Sequence, residues 1–301
     1  MRLHLVDGTF ELFRAHFSKR PSHVVEGRDR KATVGLASAM LALLHEDEER
    51  VTHIAIAFDN PIRSVRNEWF PHYKSDEGVA EEILAQFDAA EEAARALGIV
   101  VWSMNRYEAD DALATAAVRF CDAVEQVRIL TPDKDLGQVL DADRIVLVDR
   151  VRKQVIDEGE FFRRRGVRPA RVPDWLALVG DTADGIPGLD GFGDKTAAVL
   201  LQKFGPLEAI PDDPRKWPPT IRRAEALAAT LASHRGEVFL YRKLATLIRD
   251  VPLRESFEDL AWPGVDRPRF EAWCDRLGAS SDLRARPTRW APSRSSTWSS
   301  A

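Results

Sequence analysis

Five apolar runs in this chain end on acidic residues or run into them within a few positions. Residues 3–6 lead into Asp7, 54–58 into Asp59, 100–104 towards Glu108, Asp110 and Asp111, 127–130 towards Asp133 and Asp135, and 145–148 into Asp149. Short β-rich runs alternating with helical patterns mark a mostly parallel sheet covered by helices. In open sheets of this class, sites lie outside the carboxyl ends of the strands, so strands ending in Asp gather negative charge in one crevice. Carboxylates a few ångströms apart oppose one another's ionisation. Divalent cations relieve that opposition, and Mg²⁺ takes hard oxygen ligands.

The helical pattern is clearest over residues 34–44, 79–97 and 110–121, with Gly98 closing the second of these as a C-cap. After residues 155–156 no long strand pattern returns. Segments 158–165, 174–179, 195–204, 221–231 and 237–248 all read as helices. We therefore expect an α/β domain over residues 1–157 and a helical domain over 158–283. Residues 284–301, with Arg284, Arg286, Arg289 and Arg294 and no acid, are expected to be a flexible basic tail. The Pro-rich segment 211–219 is a connection inside the helical domain.

A hydrophobic content of 45% over 301 residues supports a real core. Cys121 and Cys274 are too few for a disulfide framework or a thiolate zinc site, which favours a reducing compartment. The start carries no apolar stretch of signal-peptide length, and no run approaches the roughly 18 residues of a membrane span. The expectation is a cytoplasmic protein with no membrane partner.

Spacing sharpens the acidic pattern. Asp133 and Asp135 sit two apart just past a strand, where a turning backbone can aim both at one ion. Glu108 and Asp111, three apart across a helix start, share a face while Asp110 points elsewhere. Asp181 and Asp184 repeat that spacing at the edge of the helical domain. Any one of these could be a helix cap or a turn acid, but caps do not require paired acids at successive strand ends. A carboxylate set without His or Cys suits phosphoryl transfer by two metals about 4 Å apart; zinc would have recruited imidazole or thiolate. Val6-Asp7-Gly8-Thr9 is similar to the opening of haloacid dehalogenase-like phosphatases, yet Leu5 stands where their nucleophilic Asp belongs, so no aspartyl-phosphate can form.

The stretch from Ile186 to Ala197 joins two short helices through a glycine-rich turn containing Gly188, Gly191 and Gly193, followed by Lys195 and Thr196. Glycines there permit close approach, and the backbone at the helix start can hold a phosphate oxygen. This is a helix-hairpin-helix signal, a device that grips a nucleic-acid backbone without reading bases. The net charge of −5 alone would argue against such a partner, but two divalent ions would cancel much of it.

Together these residues resemble the 5′ nuclease and flap endonuclease family, including the amino-terminal nuclease domain of bacterial DNA polymerase I. The resemblance runs from Leu5 to about residue 255, through Val6-Asp7-Gly8, Phe58-Asp59, His72-Tyr73-Lys74-Ser75, Glu108 to Asp111, Asp133-Lys134-Asp135, and Gly180-Asp181 to Gly188. It implies a PIN-like α/β nuclease domain, followed by the helical domain with its helix-hairpin-helix. One metal would be held by Asp7, Asp59, Glu108 and Asp110 with Asp111 close by, and a second by Asp133, Asp135, Asp181 and Asp184. Arg14, Arg66 and Lys74 would steer or polarise the scissile phosphate, and the turn would grip duplex DNA, with K⁺ bound there.

The resemblance further implies a stand-alone, monomeric, Mg²⁺-dependent (alternatively Mn²⁺-dependent) 5′-3′ exonuclease or 5′-flap endonuclease of replication and repair. Its substrates would be DNA with 5′ ends, flaps or nicks, RNA-primed strands included. Three positions depart from the family pattern: Pro132 replaces a usual Gly, Gly185 a common Asn, and Glu77 a frequent Arg. With Glu81, Glu82, Asp88, Glu91 and Glu92, Glu77 makes the region of the expected helical arch acidic. The choice between exonuclease and structure-specific endonuclease stays open. Two other classes compete: a non-catalytic binder of branched DNA, and an RNA-directed nuclease of PIN-like fold.

Overall fold

The computed structural model describes residues 1–292. In chain order the elements are β1 (Arg2–Asp7), α1 (Gly8–His16), β2 (Val24–Val25), β3 (Arg28–Asp29), α2 (Lys31–Leu44), β4 (His53–Asp59), α3 (Arg66–Trp69), α4 (Glu81–Leu84), α5 (Phe87–Ala96), β5 (Val100–Met104) and α6 (Ala109–Phe120). There follow β6 (Gln126–Leu130), β7 (Ile145–Asp149), β8 (Gln154–Ile156), α7 (Glu158–Arg165), α8 (Val172–Val179), α9 (Asp194–Phe204), α10 (Ala224–Ser233), α11 (Arg235–Ala245), α12 (Arg267–Arg276) and α13 (Ser281–Ala285). The chain forms two compact units that interleave along the sequence. Among the described residues, 1–58, 78–103 and 254–292 make the first; residues 59–77 and 104–253 make the second.

In the first unit, β1 runs parallel to β4, with Leu3 opposite His53 and Asp7 opposite Ala57. β5 lies on the other side of β4. Every residue of β4 is buried, which explains its nearly continuous apolar sequence: a parallel strand covered on both faces has no solvent side to alternate with. α1 packs on α2, α2 on α5 and α5 on α12, around Leu5, Leu36, Met40, Ile56, Phe58, Phe270 and Trp273.

The helix expected over 79–97 is two helices, α4 and α5, broken at Ala85–Gln86. Gln86 is the cause. Its side chain is buried and accepts hydrogen bonds from the Thr33 backbone N–H at 3.1 Å and the Thr33 hydroxyl at 3.2 Å, while donating to the Glu82 carbonyl. It thereby satisfies a donor in the first turn of α2, whose own N-cap Arg30 supplies no side-chain bond. The acidity of this stretch is partly neutralised, since Glu91 pairs with Arg95 and Glu92 with Arg276.

The basic tail is corrected in part. Arg284 bonds the Ala279 carbonyl and Asp275, Arg286 reaches Ser38, and Arg289 stacks over Trp262. Residues 284–292 are thus packed rather than free; Arg294 and the rest of the expected tail lie outside the described residues.

The second unit contains β6, paired in parallel with β7, and β8, antiparallel to β7. α8 packs against α9 and α11, and its Trp175 is almost wholly buried. α8 starts at Val172, earlier than its apolar pattern, because Pro173 suits a first helical turn. α10 starts later than expected, after Arg223 in a left-handed conformation. α11 ends early at Ala245 because the next peptide groups serve other side chains: the Leu247 N–H donates to Gln138 and the Ile248 N–H to Asp111. Among the described residues no helix is long and apolar enough to cross a membrane.

Candidate active site

The second unit brings most of the expected acids together around the start of α6. Glu108 is the N-cap and Asp111 occupies the third helical position, and each carboxylate accepts from the other residue's backbone N–H in a reciprocal capping box. Arg66 then locks this box. Its guanidinium donates to Asp111 twice at 2.8 Å, to Glu108 at 3.0 Å, and to the carbonyls of Leu244 and Thr246 at 2.8 and 3.0 Å.

Arg66 is 1% exposed and Asp111 is fully buried. In this structure Arg66, expected to steer a phosphate, directs all its donors inward to protein acceptors. Asp111, held by Arg66 and two backbone N–H groups, is likewise a scaffold. Burial alone would lower the Arg66 pKa, but the Asp111 hydrogen bonds and the Glu108 charge outweigh it and keep the guanidinium charged.

Lys74 stands beside this box. Its Nζ lies 2.9 Å from Glu108 and 3.0 Å from Asp184, and its backbone N–H donates to the Asp184 carbonyl. The Tyr73 hydroxyl reaches the same two carboxylates at 3.2 Å each, and the Ser64 hydroxyl donates to Glu108 at 2.7 Å. Burial disfavours the Glu108 charge, yet Lys74, Arg66 and the Ser64 bond hold its carboxyl below the ordinary range. Asp184 goes the other way, raised by burial and by the charges of Glu108 and Asp133 despite Lys74.

A second group forms where β6 ends. Thr131 Oγ1 accepts from the Asp133 N–H, and Asp133 accepts from the Asp135 N–H at 2.8 Å, so the turn folds back on itself and sets both acids on one side. Lys134 Nζ hydrogen-bonds Asp181 and lies 3.4 Å from Asp135 Oδ1. That oxygen is buried with no hydrogen-bond partner. Burial and the adjacent Asp133 push the Asp135 carboxyl well up, whereas the Lys134 bond brings Asp181 down against the opposing effect of burial.

Asp59, at the end of β4, accepts from the Ala109 N–H at 2.7 Å, and Asp110 is half-buried on the next residue. In the first unit, Asp7 ends β1 and caps α1 by accepting from the Phe10 N–H at 2.8 Å. Arg14, one turn further along α1, is bound to the buried Glu11. Sequence reasoning missed Tyr73, Ser64 and Lys134 as members of these groups. Tyr73 and Lys134 lay inside quoted motifs, next to the charged residues that drew attention.

The turn between α8 and α9 is built as its glycines suggest, with one exception. Gly188 has φ +69°, and a Cβ there would lie 2.5 Å from the Val179–Gly180 backbone. Gly185 has φ +73°, and a Cβ would meet the His72 carbonyl at 2.5 Å, so this chain's glycine in place of the family's Asn answers a close backbone approach. Gly191 also takes a positive φ. Gly193 does not: it is extended, with φ −102°, and caps α9 facing open space. Lys195 is exposed and Thr196 half-buried on the first turn of α9.

Among the described residues no three His, Cys, Asp or Glu side chains converge as a ready-made metal cage. Lys74 and Lys134 instead lie between the acids. The chemistry of the donor set nevertheless fits a hard divalent cation. All candidate ligands are carboxylates, Asp135 Oδ1 is buried and makes no hydrogen bond, and Asp135 and Asp184 are acids pushed up by burial and by neighbouring carboxylates.

The family models match nearly the whole chain: the 5′-3′ exonuclease N-terminal resolvase-like domain over residues 2–166, and the 5′-3′ exonuclease C-terminal SAM fold over residues 167–268. A 5′-3′ exonuclease of Aquifex aeolicus is 30% identical over 283 residues, covering 94% of each chain. DNA polymerase I of Bacillus caldotenax is 33% identical over 288 residues, covering 94% of this chain and 32% of that one. The chain thus spans about a third of the length of its polymerase relatives. In fold it is similar to a T5 5′-exonuclease structure with bound zinc (TM-score 0.64, 19% identity, 92% and 98% of the two chains). It is likewise similar to the catalytic core of Rad2 with DNA substrate (TM-score 0.60, 14% identity, 92% and 88%). The fold and site define a nuclease of the resolvase-like α/β class with a helical C-terminal domain. The chain belongs to the 5′-3′ exonuclease family.

Proposed function

We propose that this protein hydrolyses phosphodiester bonds near DNA 5′ ends and flaps with two divalent cations, Mg²⁺ by preference. The observation that carries the reading is the crowding of Asp133, Asp135, Asp181 and Asp184 around few cations, with a buried Asp135 oxygen that makes no hydrogen bond and has only Lys134 at 3.4 Å for an ion pair. Asp133, Asp135, Asp181 and Asp184 would hold one ion, and Glu108, Asp110 and Asp59 the other, with Asp7 assigned to it on the family resemblance alone. When bound, such ions activate water and stabilise the departing oxygen.

The chain's own residues supply the rest. Lys74, one-fifth exposed, can leave its carboxylates and present its ammonium to a phosphate oxygen. Tyr73 keeps Glu108 and Asp184 in register while it does so. Arg66 and Asp111 fix the start of α6, on which the Glu108 and Asp110 side chains are mounted. The turn from Gly188 to Thr196, with Lys195 exposed, would hold the duplex backbone.

A 5′-flap duplex incubated with the protein and Mg²⁺ should lose its flap, leaving a 5′-phosphate, and EDTA should stop cleavage more than binding. Tight flap binding in Mg²⁺ with no product would favour a non-catalytic binder. Matched DNA and RNA 5′ strands on one duplex separate the RNA-directed alternative.

A further inference from the structure

The Pro-rich segment before α10 has no part in the site described so far, yet it is rigidly held. Trp217 is buried, its ring packs edge-on against Phe192 of the glycine turn at 6.5 Å, and its Nε1–H donates to the Pro211 carbonyl at 2.7 Å. Arg235 ties the same segment down by donating to the Ile210 carbonyl and to Asp212. Ile221, also buried, donates its N–H to the Pro218 carbonyl. The next residues are therefore delivered to a set place beside the turn.

A pocket of about 320 Å³ opens there, lined by Gly191, Thr196, Thr220, Arg222, Arg223 and Leu227. A single apolar side chain, two hydroxyls and two guanidinium groups suit an anion rather than an apolar body. The arginines are also uncommitted. Nearby Arg215 is paired with Asp213, Arg235 with Asp212, and Arg242 with Asp174 and Glu208. By contrast, among the described residues the Arg222 and Arg223 side chains have no hydrogen-bond or ion-pair partner. Arg223 holds a left-handed backbone, φ +57°, uncommon for a residue with a side chain. It is the N-cap of α10 and makes no side-chain cap bond.

We propose that Thr196, Thr220, Arg222 and Arg223 form a phosphate pocket, set against the glycine turn by the Trp217-anchored segment, that takes a backbone phosphate of duplex DNA. The proposal rests on the nucleic-acid reading above and extends the grip beyond the turn itself. Guanidinium forks match phosphate oxygens in pairs, and the lining offers no base-reading groove, so the contact adds affinity without sequence preference.

The test is duplex binding by the full chain in EDTA, followed by fluorescence anisotropy across a salt series, for wild type, R222Q/R223Q, W217A and R215Q. Each lost phosphate contact lowers the salt slope by about 0.9, so R222Q/R223Q, which empties a pocket for one phosphate, should flatten the slope by about 0.9 and weaken binding at low salt. W217A, which releases the segment, should move in the same direction. R215Q, whose charge is already spent on Asp213, should leave the slope unchanged. Circular dichroism establishes that each variant is folded. A wild-type slope in R222Q/R223Q, with flap binding and cleavage intact in the wild type, overturns the pocket alone. A wild-type protein that neither binds duplex nor cleaves it overturns the nucleic-acid reading and the pocket together.

Discussion

The two carboxylate groups of the second unit look alike in sequence and are opposite in electrostatics. Around Glu108, two cations and two hydroxyls serve a small number of acids: Arg66, Lys74, Ser64 and Tyr73 all donate to it. Around Asp135, the single Lys134 faces Asp133, Asp135 and Asp181, and one buried Asp135 oxygen makes no hydrogen bond and has Lys134 only at ion-pair distance. Glu108 is consequently held below the ordinary carboxyl range and Asp135 far above it. The lesson is that one group is a finished structure while the other is short of positive charge. Buried charge with too few partners is costly, and a fold retains it where something else supplies the compensation.

The largest expected effect tests the finished group. Arg66→Ala strands Asp111 and Glu108 in a buried setting, so chemical denaturation should show a loss of about 3–5 kcal/mol. A loss below about 1 kcal/mol would mean that the capping box does not depend on its guanidinium. The next tests the deficient group in the reverse sense. Asp135→Asn should cut flap cleavage by more than the roughly 10–100-fold that outer partners of a metal cost, yet raise the melting temperature in EDTA. A variant that is both less active and less stable would erase the contrast.

Proton linkage gives the third. An acid whose folded pKa is raised makes the native state bind a proton that the unfolded chain does not, so stability increases as pH falls from neutral towards the ordinary Asp range near 3.9. An acid held low does the opposite: its contribution is present above the unfolded value and is lost as pH falls through the folded one. The stability difference between wild type and Asp135→Asn, measured in EDTA, should therefore shrink as pH falls from 7 towards 5. A constant difference would show that the Asp135 carboxyl is not raised. The smallest effect is ligand-linked. Mg²⁺ at about 100 times its Kd should stabilise the wild type by about 2.7 kcal/mol, and Asp135→Asn by clearly less, read as thermal shifts across a Mg²⁺ titration.

Much of this could be read without coordinates. The acids after β1, β4 and β6 were visible because a buried parallel strand must be apolar and its end abruptly is not. Asp133 and Asp135 announced their turn by spacing alone. What the sequence leaves open is which cation near an acid faces solvent. Arg66 and Lys74 are both basic residues near motif positions, and nothing in their local sequence says that Arg66 is enclosed while Lys74 keeps an exposed face. The break at Gln86 was equally hidden, because the helical period runs smoothly through it and the reason for the break is a donor on Thr33, far away in the chain.

The alternation of the main strands with helices, the glycine turn and the list of carboxylates were thus determined by sequence alone, since periodicity, turn chemistry and charge are local properties. Which acids are satisfied and which are left short, that Arg66 is a strut, and that Arg222 and Arg223 flank the turn with their charges unspent were decided only by the tertiary structure. Hydrogen bonds and burial are settled between residues as distant as Arg66 and Thr246 or Gln138 and Leu247, and no local pattern carries that information.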